Sequence, residues 1–282
     1  MNILLLGITG QVGFELHRTL SPLGTITAPG RDELNLLNEQ AVTNYLAVKK
    51  PDLIVNGAAW TAVDAAEVHQ SEAWRLNAGL PEQLAAYTKA NNARLVHYSS
   101  DYVYPGTGET PWQETNPTGP VSHYGKTKLN GDRAIEKSGA DYLIFRSSWV
   151  YSARGNNFMK TMLRLAESKT ELNIVADQIG APTPARLIAQ ITTLAIHSKL
   201  ETGLYHLAPE GETSWHGFAK EIFGLAGKNT KTYPIPTSDY PTPAKRPLNS
   251  RVDMSKLKNA LNVELPHWQS QLALTLREYL ET

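Results

Sequence analysis

The sequence predicts an α/β fold: a doubly wound, Rossmann-like parallel sheet followed by a smaller C-terminal lobe of mixed α/β structure. Three observations carry this. Short apolar runs are unbroken rather than alternating, as in strands covered by helices on both faces. Between them lie segments whose apolar residues recur at helical spacing. A glycine triplet stands where the first such strand meets the first such helix. The length of 282 residues corresponds to roughly two domains at about 150 residues each.

The first strand covers residues 3–6, and Val12, Leu16 and Leu20 form one stripe of the helix that follows. A second strand covers 24–28 and stops at Pro29-Gly30. Asn38 can cap a helix carrying Val42, Tyr45 and Leu46. A third strand covers 52–56, and Pro81 suits the first turn of a helix with Leu84, Ala85 and Thr88 on one face. A strand over 94–100, a helix over 124–137 and a strand over 142–147 complete the β-α-β succession, which requires parallel strands and right-handed crossovers.

After Trp149 the pattern changes. Helices are expected over 157–168, 184–198, 215–226 and 267–279, with short strands over 172–175 and 204–207. Pro234, Pro236, Pro241, Pro243 and Pro247 mark an irregular stretch of the kind used as a linker or binding surface. The domains are therefore placed at 1–150, receiving segments from 170–205, and at 151–282.

Composition excludes several functions. Lys plus Arg and Asp plus Glu each number 27, so no net positive charge is available for general nucleic-acid binding. With 41% hydrophobic residues the chain is not disordered. It has no cysteine, hence no disulfide, thiolate zinc ligand or thiol nucleophile. The eight histidines show no ligand spacing, so no metal site is expected. No apolar run reaches the ~20 residues of a membrane span, and a soluble cytoplasmic protein is expected.

Gly7, Gly10 and Gly13 follow the first strand and open the first helix, the context in which a backbone turn and a helix N-terminus receive a pyrophosphate. An acid on the adenosine ribose favours NAD and an arginine favours NADP; Arg31-Asp32 after the second strand offers both, and Arg31 favours NADPH. With no global positive field, the diphosphates must rely on this helix terminus and on local cations such as Lys128, Arg246 and Arg251.

The pattern Tyr-x-x-x-Lys occurs twice, at Tyr45/Lys49 and Tyr124/Lys128. Residues four apart share a helix face. Only Tyr124 follows a strand ending in a hydroxyl residue, Ser100, and open sheets bind ligands at the carboxyl ends of their strands. Tyr45 reads as a core tyrosine. The Lys128 ammonium is expected to favour ionisation of the Tyr124 phenol, which then protonates a carbonyl oxygen as hydride arrives. Ser100 is expected to hydrogen-bond the developing alkoxide. Asn77 is expected to support Lys128 through backbone and water.

The Gly-x-x-Gly-x-x-Gly spacing resembles the extended short-chain dehydrogenase/reductases. Further stretches narrow this: NGAAWTAVDAAE at 56–67, HYSSDYVYPGTG at 97–108, YGKTK at 124–128, FRSSWVY at 145–151, GNNF at 155–158, DQIGAPT at 177–183 and RPLNSR at 246–251. Together they resemble the dTDP-4-dehydrorhamnose reductases over almost the whole chain. The resemblance implies NADPH (or NADH) as cofactor, a dTDP-sugar bound by the C-terminal lobe, and reduction of the 4-keto group of dTDP-4-dehydro-6-deoxy-L-mannose to dTDP-L-rhamnose for cell-surface polysaccharide synthesis. It implies Ser100, Tyr124 and Lys128 as catalytic residues. It places Gly10, Gln11 and Val12, with Gly7 and Gly13, at the pyrophosphate, and Asn35 and Leu36 near the adenine. Ala58, Ala59, Trp60 and Thr61 line the ribose and phosphate side, and Tyr98 borders the nicotinamide. Ser100, Asp101, Tyr102, Trp149 and Asn157 face the sugar nucleotide.

The chain departs from the family in having Ser100 for Thr, Asn35-Leu36 where Asp is usual, and Trp60 for His or Tyr. Some family members join subunits through a divalent cation such as Mg2+; no acidic cluster in this sequence supports one, and a monomer or a homodimer is expected. Two other readings share the scaffold. An epimerase or dehydratase is one, but dehydratases carry Thr-Asp-Glu where this chain reads Ser100-Asp101-Tyr102. A non-catalytic NADP-binding subunit, like the regulatory subunit of methionine adenosyltransferase, is the other, and the retained Tyr124, Lys128 and Ser100 hydroxyl weigh against it.

Overall fold

The computed structural model describes residues 1–281, and its centre is a six-stranded, wholly parallel sheet. The strands are β1 (Asn2–Leu6), β2 (Thr25–Thr27), β3 (Leu53–Asn56), β4 (Arg94–Ser100), β5 (Asp141–Ser147) and β6 (Gly203–His206). Their spatial order is β6-β5-β4-β3-β1-β2, so the chain winds outward from β1 to β2 and then crosses back to β3. That reversal opens a crevice between the carboxyl ends of β1 and β3, where Leu6 pairs with Asn56.

The helices are α1 (Gln11–Thr19), α2 (Glu39–Lys49), α3 (Leu80–Asn91), α4 (His123–Ser138), α5 (Phe158–Ala166), α6 (Ala185–His197), α7 (Trp215–Leu225) and α8 (Trp268–Leu280). The unbroken apolar runs follow from two-sided burial. Ile3 and Leu5 of β1 pack with Leu16 of α1 and Ile188 of α6 on one face. Leu4 and Leu6 pack with Leu46 of α2, Leu84 of α3 and Ile135 of α4 on the other. Both α6 and β6 belong to this sheet layer although they lie beyond residue 180.

Caps set the helix starts. Asn38 Oδ1 accepts from Ala41 N (3.0 Å), Ser122 Oγ from Gly125 N (3.2 Å) and Asn157 Oδ1 from Lys160 N (3.1 Å). A separate apolar core in the C-terminal part gathers Met159, Phe218, Ile222, Trp268 and Leu272 from α5, α7 and α8 around Tyr151 of the short strand Val150–Tyr151.

Most expected elements appear with ends shifted by a residue or two. The irregular proline stretch differs: Lys231–Ile235 is a strand pairing in parallel with Glu171–Val175. Pro234 is tolerated because a two-strand ribbon has only edge strands. A short helix, Gln70–Trp74, and a π-helical turn, Arg75–Gly79, precede α3 and have no apolar period long enough to read in the sequence. Among the described residues, no helix is long and apolar enough to cross a membrane.

Candidate active site

The crevice at the sheet reversal holds a cavity of about 630 Å³ lined by Gly7, Gly10, Arg31, Asn35, Leu36, Ala58, Ala59, Trp60 and Thr61. Its floor is backbone. Gly7 has φ +84°, and a Cβ there would lie 2.6 Å from Ala58 N. A Cβ on Gly13 would lie 2.0 Å from Gly7 O. The triplet therefore allows the turn and the approach of α1 to β1, leaving the first amides of α1 facing the cavity as a ready anion cradle.

Beyond their backbone amides, three residues at the start of α1 make structural contacts. Gly13 packs on Gly7 rather than lining the cavity, and Val12 packs against the core beneath α1. The Gln11 side chain turns away: its Oε1 accepts from Ser152 Oγ (3.1 Å) and Asn157 Nδ2 (2.8 Å). Asn157, expected at the sugar nucleotide, thus caps α5 and ties it to α1. Arg154 adds to the same clasp, its guanidinium 3.7 Å from the Phe14 ring centre.

Deeper along the crevice, the end of β4 meets the first turn of α4. Tyr124 is the second residue of α4 and is 9% exposed, packed with Trp60, Ala66, Ala73 and Tyr102. Tyr102 contacts it edge to face, with ring centres 5.4 Å apart. Gly125 keeps the helix close, since a Cβ there would meet Tyr102 O at 2.3 Å. The Ser100 hydroxyl interacts with the Tyr124 phenol, donates to Asp101 Oδ1 (3.0 Å) and accepts from Tyr102 N (3.2 Å). Ser100, Asp101, Tyr102, Tyr124 and Lys128 are brought together as the sequence pattern requires.

The electrostatics correct one expectation. Burial raises the Tyr124 phenol above its ordinary value, and the charges of Asp101 and Asp132 add to this; the Ser100 hydroxyl opposes it. Lys128 does not offset that rise here. Its ammonium donates to Tyr98 O (2.5 Å), and burial lowers it to about 8, with Asp132 one turn along α4 acting in the opposite direction. Desolvation of a phenol enclosed by aromatic rings outweighs a cation held on a backbone carbonyl. Tyr98 contributes that carbonyl, while its hydroxyl pairs with Thr192 Oγ1 (2.9 Å) of α6.

Asn77 is also placed differently. It is fully buried, and its amide accepts from Trp60 N (2.9 Å) while donating to Trp60 O (3.0 Å) and Thr127 Oγ1 (3.0 Å). Its side chain staples the Trp60 loop to α4. Tyr45 is half-buried and donates to Glu33 Oε1 (2.7 Å), far along the chain fold from this cluster.

Trp149 sits at φ +49°, a conformation that costs a non-glycine residue on the order of 1–3 kcal/mol. The surrounding structure sustains it: its indole stacks on Trp215 with centres 3.7 Å apart, above Gly180, whose Cβ would meet the ring at 3.1 Å. Trp215, which has no motif around it, is in turn held by a hydrogen bond to Gln178 Oε1 (3.0 Å). The two local cations beyond Lys128 are both paired, Arg246 with Asp64 (2.7 Å) and Arg251 with Glu212 (2.7 Å).

Against this geometry, the pattern of the RmlD substrate-binding domain matches residues 1–281. The chain belongs to the RmlD substrate-binding domain family. The dTDP-4-dehydrorhamnose reductase of Salmonella typhimurium is 45% identical over 296 residues, covering 100% of this chain and 99% of the relative. Among solved structures, a dTDP-4-dehydrorhamnose reductase from Clostridium acetobutylicum superposes with a TM-score of 0.95 at 34% identity, each chain covered completely (100% and 100%). The dTDP-4-dehydrorhamnose reductase of Bacillus anthracis, solved in complex with NADP, gives 0.93 at 32% identity, covering 98% of this chain and 99% of that one.

Proposed function

We infer that this chain is an NAD(P)H-dependent reductase of a nucleotide sugar, converting dTDP-4-dehydro-6-deoxy-L-mannose to dTDP-L-rhamnose. The observation that carries this is the buried Tyr124–Ser100 pair, joined through Trp60 to the glycine-floored cavity, in a chain similar along its whole length to dTDP-4-dehydrorhamnose reductases. A dinucleotide fits the residues present, because the cavity at the start of α1 is lined by Gly7, Gly10, Ala58 and Ala59, whose small size leaves its floor open. When bound, the reduced nicotinamide supplies the hydride.

The chain's own residues do the rest. The α1 terminus holds the diphosphate, and Trp60, fixed at both its N–H and C=O by Asn77, walls the site. Tyr124 delivers the proton to the substrate oxygen, and Ser100 steadies that oxygen by hydrogen bonding. Lys128, held on Tyr98 O, supplies positive potential beneath them. Residues 1–150, completed by α6 and β6, are assigned to the dinucleotide. The core around Phe218, with Trp149 at its border, is assigned to the sugar nucleotide. A dehydratase is disfavoured because Tyr102, an aromatic packed on Tyr124, stands where a second carboxyl acid would be needed.

The test supplies the keto sugar, generated enzymatically, with NADPH, and follows absorbance; no consumption by folded protein refutes the reading. Cofactor choice is tested separately. Arg31 lies on the cavity rim beside Gly30, with Asn35 and Leu36 opposite the glycine cradle. Arg31→Ala is expected to weaken NADPH roughly tenfold and NADH little, since an arginine recognises the extra 2′-phosphate. Fluorescence titration with each cofactor checks it, and equal losses remove the basis for preferring NADPH.

A further inference from the structure

Hydrogen-bond accounting at Ser100 exposes an unfilled requirement. A serine hydroxyl has one proton and two lone pairs. The proton goes to Asp101 Oδ1 (3.0 Å), and one lone pair receives Tyr102 N–H (3.2 Å). So committed, Ser100 has no proton to give either a substrate oxygen or the Tyr124 oxygen beside it. Beside it, Asp101 is 1% exposed, and its Oδ2 is buried without a hydrogen-bond partner. The Ser250 hydroxyl faces this carboxyl and favours its ionised form, yet falls short of a full hydrogen bond.

We propose that Asp101 is a positioning residue whose neutral form turns the Ser100 hydroxyl toward the substrate oxygen and the Tyr124 phenol. The proposal rests on the reductase reading above. A protonated Asp101 Oδ1 donates to Ser100 Oγ instead of accepting from it. The two lone pairs of Ser100 are then filled by Asp101 and Tyr102 N–H. Its own proton is released toward the substrate oxygen and the Tyr124 phenol. As hydride reaches the carbonyl carbon, the π pair moves onto oxygen, which takes the Tyr124 proton while Ser100 hydrogen-bonds it; Asp101 neither gains nor loses a proton in that step.

The surroundings favour a carboxyl that changes state in a useful range. Burial pushes Asp101 up to about 6, against the pull of Ser250, Ser100 and the backbone amides. The titratable and charged groups nearby are Tyr102 on its own segment, and Tyr124, Lys128 and Asp132 on α4. Beyond Tyr102 lies the Arg246–Asp64 pair, which neutralises itself. Neutral Asp101 also removes a negative charge that holds the Tyr124 phenol high.

The test is the pH profile of kcat with saturating keto sugar and NADPH, alongside 13C-carboxyl NMR of aspartate-labelled protein. In the wild type, kcat is expected to fall about tenfold or more above a single ionisation at or somewhat above pH 6, because the protonated form is the active one. Asp101→Asn, whose amide donates to Ser100 at every pH, is expected to lose that decline across pH 5.5–8 and to bind NADPH as the wild type does. The carboxyl resonance missing from this variant is expected to titrate near 6. A wild-type profile flat over this range, a variant retaining the inflection, or an Asp101 carboxyl titrating at the ordinary value near 4 overturns the proposal. Absence of any turnover by wild-type protein overturns the reductase reading together with it, whereas turnover without the inflection overturns this inference alone.

Discussion

Tyr124→Phe is expected to lower kcat by about 10²–10⁴ while leaving NADPH affinity within a fewfold of wild type. The size of the loss follows from the enclosure of the site. Tyr124 is 9% exposed and surrounded by Trp60, Ala73 and Tyr102, which leaves little room for water to replace the missing proton donor. The ring itself is retained, so its edge-to-face contact with Tyr102 and the start of α4 survive. Single-turnover absorbance measurements separate hydride transfer from cofactor binding. Wild-type rates in the variant would remove Tyr124 from the acid's role.

The second large effect concerns stability. Behind Lys128 lies a buried ionic network: Asp132, 0% exposed, accepts from Arg146 Nε (2.9 Å) and Ser99 Oγ (2.9 Å). Arg146 Nη1 donates to Tyr104 Oη (2.8 Å), and Tyr104 is paired with His206 Nε2 (2.7 Å). His206 Nδ1 faces Asp253 O (3.1 Å), so it carries the ring proton and Nε2 accepts from Tyr104. Burial holds this histidine neutral, lowered to about 3. Arg146→Met leaves the Asp132 carboxylate buried beside one serine and is expected to cost about 3–5 kcal/mol, read by urea denaturation. Combining it with Asp132→Leu is expected to recover most of that loss, because an apolar pair carries no desolvation penalty. The double variant then separates folding from chemistry: it lacks the carboxylate that supports the Lys128 charge. A single variant within about 1 kcal/mol of wild type would show that solvent reaches Asp132 and that the pair is not a closed ionic core.

Much of the architecture was legible because it is written at short range. Burial on both faces leaves unbroken runs such as residues 3–6, and a helix stripe leaves Val12, Leu16 and Leu20 at four-residue spacing. The glycine loop was legible because close approach of backbone to backbone excludes every other side chain at residues 7 and 13. Tyr124 and Lys128 could be chosen over Tyr45 and Lys49 because only one pair follows a strand end that carries a hydroxyl.

The remainder depends on neighbours that are distant in the chain. Gln11 and Asn157 are 146 residues apart, and Asp64 and Arg246 are 182 apart, so no local spacing announces either bond. The Trp149–Trp215 stack and the Asn77 clamp on Trp60 are equally invisible to periodicity.

The sequence by itself determined the layered α/β topology and the glycine turn after β1, and singled out Tyr124 as the proposed oxygen acid, because each rests on steric or chemical limits of single residue types. The tertiary structure alone decided the protonation behaviour of that acid and the direction in which the Ser100 proton points. Ionisation and hydrogen-bond polarity depend on desolvation and on which groups converge from separate strands and helices. Lys128 looks in the sequence like the group that lowers the Tyr124 phenol; in the folded protein burial raises it, and the Ser100 hydroxyl beside it donates to Asp101, the next residue.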